Sequence, residues 1–191
     1  MDDQRADERT DATENGQASR EAFVRSTYVE LYRWFHRLAG CPARAADLTQ
    51  ESFAAFWASG ARQPTEVSSR TWLYAIGRNL WRNQLRGRRE FVPLEFDQAF
   101  SSDPGPEHRV EAGEFESAAR DAVDQLPIDL REAFTLRFWN EFSYEEIAAI
   151  QGISADLARW RYFAARKRLH ARLAPWNPGP EHSEKEDRHA R

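Results

Sequence analysis

The sequence predicts an all-α protein of two small helical domains, a helical bundle and a helix-turn-helix domain, joined by a flexible linker. Three observations carry that expectation. Apolar residues recur at helical spacing through both halves, and no alternating strand pattern competes with them. The stretch SSDPGPEH, Ser101 to His108, places two prolines and a glycine where no helix can continue. Gly152 sits between two amphipathic segments in the second half, as in a turn between packed helices.

The elements follow in order. Residues 1–19 have no apolar periodicity and read as a disordered acidic arm. The first domain, 20–90, begins with a helix whose apolar face is Phe23, Leu31, Phe35 and Leu38, closed by Gly40 and Pro42 in the Gly-then-Pro order of a helix end. A second stripe is Leu48, Phe53, Phe56 and Trp57. After a loop about Pro64, Trp72, Leu73, Ile76 and Leu80 share one face of a third helix and complete a bundle.

Residues 91–113 form the linker, and 114–174 the second domain. It opens with an amphipathic segment through Val123 and Leu126, which Pro127 interrupts. The next helix carries Leu130, Ala133, Phe134 and Phe138 on one side, with Asp129 and Glu132 placed as a first-turn cap. Ser143 and Glu146 then have capping-box spacing, Ile147 and Ile150 point inward, and Ala148 admits a neighbouring helix. Gly152 turns the chain, Ile153 plugs the junction and Ser154 caps the last helix. Its inward stripe is Ala158, Tyr162, Ala165 and Leu169, which leaves Ala155, Asp156, Arg159, Trp160, Arg166 and Lys167 on an edge suited to the major groove. Residues 175–191 read as a polar, proline-punctuated tail.

Charge narrows the function. The net charge of −4 and pI near 5.8 exclude a uniformly basic surface, so nucleic-acid contact must come from patches. One such patch spans Ser154 to Leu173, where Arg159, Arg161, Arg166, Lys167, Arg168 and Arg172 face Asp156 as the lone acid. Another is the stretch RTWLYAIGRNLWRNQLRGRRE, Arg70 to Glu90. There Arg78, Arg82, Arg86, Arg88 and Arg89 fall outside the apolar stripe, and Tyr74 or Trp81 can stack on unpaired bases while guanidinium groups track the backbone.

Other chemistries find little support. Cys41 is the only cysteine, so neither an internal disulfide nor a thiolate cluster is expected. The histidines His36, His108, His170, His182 and His189 lack ligand spacing, and no metal or other cofactor is expected. No nucleophile and base are paired and no glycine loop cradles phosphate, which argues against an enzyme. No apolar run is long enough to cross a bilayer, and the polar, acidic start is unlike a secretory signal, so a cytoplasmic location is expected.

Specific segments add a family resemblance. DLTQESFAAFW, Asp47 to Trp57, resembles the Asp-Leu-Val-Gln-Glu-x-Phe segment of bacterial RNA polymerase sigma factors of the extracytoplasmic-function (ECF) group. WLYAIGRNLWRNQLR, from Trp72, resembles their Trp-Leu-x-x-Ile-Ala-x-Asn-x-x-x-Asp-x-x-Arg helix. QLPIDLREAFTLRFWNEFSYEEIAAIQGIS, from Gln125, is similar to the Leu-Pro-x-x-x-Arg-x-x-Phe opening and the Ser-Tyr-x-Glu-Ile-Ala helix, and AARKRL, Ala164 to Leu169, also fits.

The resemblance, spanning Ala22 to Leu173, implies a non-catalytic initiation factor whose partners are core RNA polymerase, promoter DNA and, in many members, an anti-sigma factor. It implies that Asp47, Gln50 and Glu51 face polymerase. Trp72, Tyr74, Arg78, Asn79, Trp81, Arg82, Asn83 and Arg86 would serve the minus-ten element. Arg159, Trp160, Arg161, Arg166 and Lys167 would serve the minus-thirty-five element. Four positions depart from the family pattern: Asn83 stands where Asp is common, Leu157 and Ala158 replace Thr-Val, and Trp160 replaces a small polar residue. The Trp160 indole can touch a thymine methyl or pack on the preceding helix. The alternative reading is a helix-turn-helix regulator that does not recruit polymerase.

Overall fold

The computed structural model describes the backbone of residues 3–60, 64–91 and 112–176, and the side chains of 19–60, 64–87 and 114–176. These residues form seven α-helices: α1 (Asp3–Ala39), α2 (Pro42–Ser59), α3 (Ser69–Phe91), α4 (Ala112–Asp124), α5 (Ile128–Phe138), α6 (Tyr144–Gln151) and α7 (Ala155–Leu173). A 3₁₀ turn, Ala174–Trp176, follows α7. Helical backbone extends back to Asp3, through most of the segment expected as a disordered arm. Most of the expected linker and tail, 92–111 and 177–191, lies outside the described residues.

Local signals set the helix ends. Gly40, at φ 62°, takes the left-handed conformation that closes α1, and its N–H donates to the His36 carbonyl at 2.9 Å. Pro42 then opens α2, where its missing N–H costs no helical bond. At α6 the Ser143 hydroxyl accepts from the Glu146 N–H at 3.1 Å, while the Glu146 carboxylate accepts from the Ser143 N–H at 2.9 Å. Gly152 closes α6 in the left-handed region, and Ser154 caps α7 by accepting from the Leu157 N–H at 3.2 Å.

Helices α1, α2 and α3 form the bundle around Leu31, Phe35, Leu48, Phe53 and Leu73. Gly77 lets α3 approach closely, because a Cβ there would lie 2.7 Å from Phe35 Cζ and 2.9 Å from Ser52 Oγ. Trp57, expected within the α2 stripe, sits at its edge, 38% exposed, against the rings of Phe23 and Phe56. In the second half α7 packs its Ala158, Ala165 and Leu169 face on α4, α5 and α6. Phe138, expected on the inner side of α5, is 58% exposed because it stacks outward on Phe134 at the helix end.

One core runs through both halves. Trp34, Phe35 and Tyr74 of the bundle join Ala133, Leu136, Phe142 and Ile147 of the second half in a single buried cluster. Fully burying a side chain such as Phe142 contributes about 1.5–3 kcal/mol, so the contact between halves is substantial. Polar groups complete it. Asn140 Nδ2 donates to the Tyr74 hydroxyl at 2.9 Å, Arg70 donates to the Asn140 carbonyl at 2.9 Å, and the Thr71 hydroxyl donates to Glu146 at 3.2 Å.

Candidate nucleic-acid and polymerase interfaces

Three surfaces hold the residues singled out by sequence. On α2, Asp47, Gln50 and Glu51 are all exposed, whereas Leu48, Thr49, Ser52 and Phe53 are buried. The spacing of three and four places the two carboxylates and the amide on one solvent face, free to meet basic groups on another protein.

The α3 surface differs from expectation. Leu73 is buried, and Trp72, Ile76 and Leu80 pack against the core, as their spacing predicts. Trp72 also directs its indole N–H to the Ser59 hydroxyl at 3.3 Å. Tyr74 and Trp81, however, are 0% and 3% exposed and in this arrangement cannot stack on bases. Tyr74 is covered by Trp34 of α1 and by Phe142 of the loop between α5 and α6, with ring centroids 5.2 and 4.8 Å away, and Trp81 is buried in the same cluster. Burial pushes the Tyr74 phenol well above its ordinary pKa, so it stays neutral and serves as a hydrogen-bonding group.

Arg78 and Arg82 are likewise drawn inward. Arg78 Nε donates to Glu132 at 2.8 Å, and Arg82 donates to both Glu132 oxygens, from Nε at 2.6 Å and from a terminal nitrogen at 2.9 Å. Arg82 also pairs with Asp129. The hydrogen bond to Glu132 outweighs desolvation and raises the Arg82 pKa further above its already high ordinary value. Asp129 and Glu132 therefore do not cap α5, as expected from their position. Pro127 stands at the N-cap without a side-chain bond, and Glu132 is fully buried beneath two guanidinium groups.

Asn79, Asn83 and Arg86 remain exposed on α3, with Arg86 donating to Asn83. A cavity of about 280 Å³ opens beside them, lined by Arg78, Asn79, Arg82, Leu85, Arg86 and Ile128. The side chains of Arg88 and Arg89 lie outside the described residues.

On α7, Arg159, Trp160, Arg166 and Lys167 are exposed. Trp160 is 62% exposed, which removes the packing reading of its indole. Arg159 and Arg166 lie over the rings of Tyr144 and Tyr162. Arg161 departs from expectation because it turns inward, donating to Gln151 at 2.9 Å and lying 3.7 Å from Asp129. Among the described residues no group of three acidic, histidine or cysteine side chains is placed to hold a metal.

Sequence reasoning missed the partners of these arginines, Asp129 and Glu132 in their true role, together with Arg70, Asn140 and Thr135. An acidic pair three residues apart inside an apolar helix was the available signal.

Residues 23–91 match the family model for sigma-70 region 2, and 117–169 match that for sigma-70 region 4. Over 165 residues the chain is 31% identical to the RNA polymerase sigma-H factor of Pseudomonas aeruginosa, covering 76% of this chain and 84% of that one. The ECF RNA polymerase sigma factor EcfG of Rhodopseudomonas palustris is 36% identical over 71% of this chain and 75% of its own. The chain belongs to the ECF sigma factors. Another relative is the ECF sigma factor SigE of Mycolicibacterium smegmatis, 33% identical over 81% of this chain, although the match spans only 61% of SigE.

Among solved structures, the sigma factor RpoE of Bartonella quintana, crystallised with the anti-sigma factor NepR, superposes with a TM-score of 0.67. It is 26% identical and covers 81% of this chain and 96% of its own. In this sigma factor, region 2 falls within α1 to α3, and region 4 falls within α4 to α7.

Proposed function

We propose that this sigma factor binds core RNA polymerase, recognises promoter DNA and opens it for initiation. Region 2, within 20–90, engages polymerase through the exposed Asp47, Gln50 and Glu51 face. Its α3 helix opens the minus-ten element through Asn79, Asn83 and Arg86, joined by Trp72, Tyr74, Arg78, Trp81 and Arg82 when α3 is uncovered. Region 4, within 114–174, reads the minus-thirty-five element with Arg159, Trp160, Arg166 and Lys167, while Arg161 must leave Gln151 to join them. Residues 91–113 connect the two domains.

The observation that carries this reading is the pairing of two unlike exposed surfaces on one chain. An acidic face on α2 suits a basic protein partner, and a basic, aromatic edge on the second helix of a helix-turn-helix suits the major groove. A regulator acting without polymerase needs only the second. The factor contributes specificity and no catalytic groups of its own, and it works in the cytoplasm. An anti-sigma factor of the class found with the Bartonella quintana neighbour is a proposed third partner.

The test is transcription by purified core polymerase plus this chain over a library of linear promoters. Defined start sites should appear only when the chain is present, and Asp47→Lys with Glu51→Lys should lose retention by core enzyme. Binding of promoter DNA without retention by core would favour the regulator.

A further inference from the structure

Phe163 belongs neither to the inward stripe of α7 nor to the basic edge that its sequence suggests. It is nevertheless 52% exposed, three residues beyond Trp160, which is 62% exposed. We propose that Phe163 is a second base-reading residue, and that Trp160 and Phe163 together select two successive thymines in the upstream element through their methyl groups. The inference rests on the reading of α7 as the helix that enters the major groove.

Helical register places the two rings. Ala158, Ala165 and Leu169 are buried on the domain side of α7. At about 3.6 residues per turn, the side opposite them is taken by Asp156, Trp160, Phe163 and Lys167, all exposed. Arg159 and Arg166 flank that row, lying over the Tyr144 and Tyr162 rings at 5.2 and 5.9 Å, and Arg168 is exposed on the other flank. Cations beside the row suit the phosphates that wall a groove, and the rings between them face its floor.

The chemistry of the row dictates what it can read. Guanine, adenine and cytosine are distinguished in the major groove by hydrogen bonds to arginine, lysine, amide or carboxylate side chains, whereas the apolar group displayed there is the thymine methyl. Between Asp156 and Lys167 the row offers two rings and no amide or guanidinium. Trp160 and Phe163 stand about 4.5 Å apart along the helix axis, close to the rise of about 3.4 Å between base pairs. Adjacent methyls therefore fall within reach of both rings. Phe163 meets Tyr162 edge-on at 5.7 Å between centroids, a contact that steadies the ring while half of its surface stays open.

Holoenzyme assembled from core polymerase and the full chain tests this on promoters with a randomised upstream element. Wild type should enrich two adjacent thymines on one strand. Replacing either thymine by deoxyuridine removes only the methyl and should weaken binding about fourfold, the effect of taking one methyl out of apolar contact. Phe163→Ala should abolish the penalty at one of the two positions and keep it at the other, and Trp160→Ala should do the reverse. Phe163→Leu, which keeps an apolar surface, should retain part of the penalty.

Enrichment without adjacent thymines, or a deoxyuridine penalty that persists at both positions in Phe163→Ala, would overturn the proposal even if wild type initiates normally. Loss of retention by core enzyme in Phe163→Ala, with the penalty intact, would also overturn it and assign the ring to a protein contact. Absence of core-dependent initiation at every sequence would instead remove the promoter reading. The same deoxyuridine comparison, made on duplex DNA bound by the chain without core, then still decides the role of Phe163.

Discussion

Trp34 on α1 donates its indole N–H to the Thr135 hydroxyl on α5 at 3.0 Å, across 101 positions of sequence and out of reach of solvent. The same hydroxyl donates to the Glu132 carbonyl at 3.0 Å. One threonine thus links the region 2 core to the helix whose carboxylates collect the arginines. The apolar contact and the ion cluster share a backbone, so loosening one loosens the other.

Replacing Trp34 by Phe should expose that dependence. The substitution leaves the Thr135 hydroxyl without its buried donor, costing about 1–3 kcal/mol, with a further loss from the missing ring volume. Urea unfolding should shift to a lower midpoint. A separation into two transitions would show that the halves fold independently once the link is cut, whereas an unchanged midpoint would deny the bond any role in joining them.

Gly77 offers a second test within region 2. Glycine to alanine in a helix interior ordinarily stabilises by about 0.5–1 kcal/mol, but here the added carbon would meet Phe35 Cζ at 2.7 Å. Phe35 is fully buried and has no space to swing aside. Overpacking of about 1–3 kcal/mol should exceed the helical gain, so Gly77→Ala should lower the melting temperature. A raised melting temperature would mean that α1 and α3 can move apart at little cost.

These cases show which features were legible in the sequence. Gly40 before Pro42, the Ser143–Glu146 box and the Gly152 turn were readable because each is completed by partners within a few residues. The α3 stripe was readable because periodicity reports one buried face. The burial of Tyr74 was not legible because part of its cover, Asn140 and Phe142, comes from far along the chain, and a helix buried on a second side has no periodic mark for it. Glu132 was misread for a related reason. An acid near a helix start resembles a dipole partner, and only the arrival of Arg78 and Arg82 from α3 explains its full burial.

Acid should weaken the contact between the halves in a defined window. Burial pushes the Asp129 carboxyl upward, but the hydrogen bond and charge of Arg82, with Arg161 and Arg78, outweigh it and leave the pKa below its ordinary value. A carboxyl depressed on folding stabilises above its unfolded pKa, about 3.9, and that contribution is lost as pH falls through the lower folded value. Asp124 has the opposite sign, since burial raises its pKa and its penalty is relieved as it protonates. Stability should therefore hold or rise slightly as pH approaches about 4 and then decline. Asp129→Asn should flatten the decline in melting temperature, and an identical acid limb would place its cause elsewhere.

On the proposed reading, the exposed edge of α7 divides into residues that hold DNA and one that chooses sequence. Arg166 lies over the Tyr162 ring with its charge open to solvent, so Arg166→Ala should weaken holoenzyme binding to all minus-thirty-five sequences alike. It should also reduce the magnitude of the log–log salt slope by about 0.9, the loss of one phosphate contact. Trp160 projects an apolar surface that has no phosphate to neutralise, and an indole against a thymine methyl discriminates by shape. Trp160→Ala should leave the salt slope unchanged while altering base preference in a promoter selection. A uniform loss of affinity in the tryptophan variant, with preference preserved, would assign the indole to general contact.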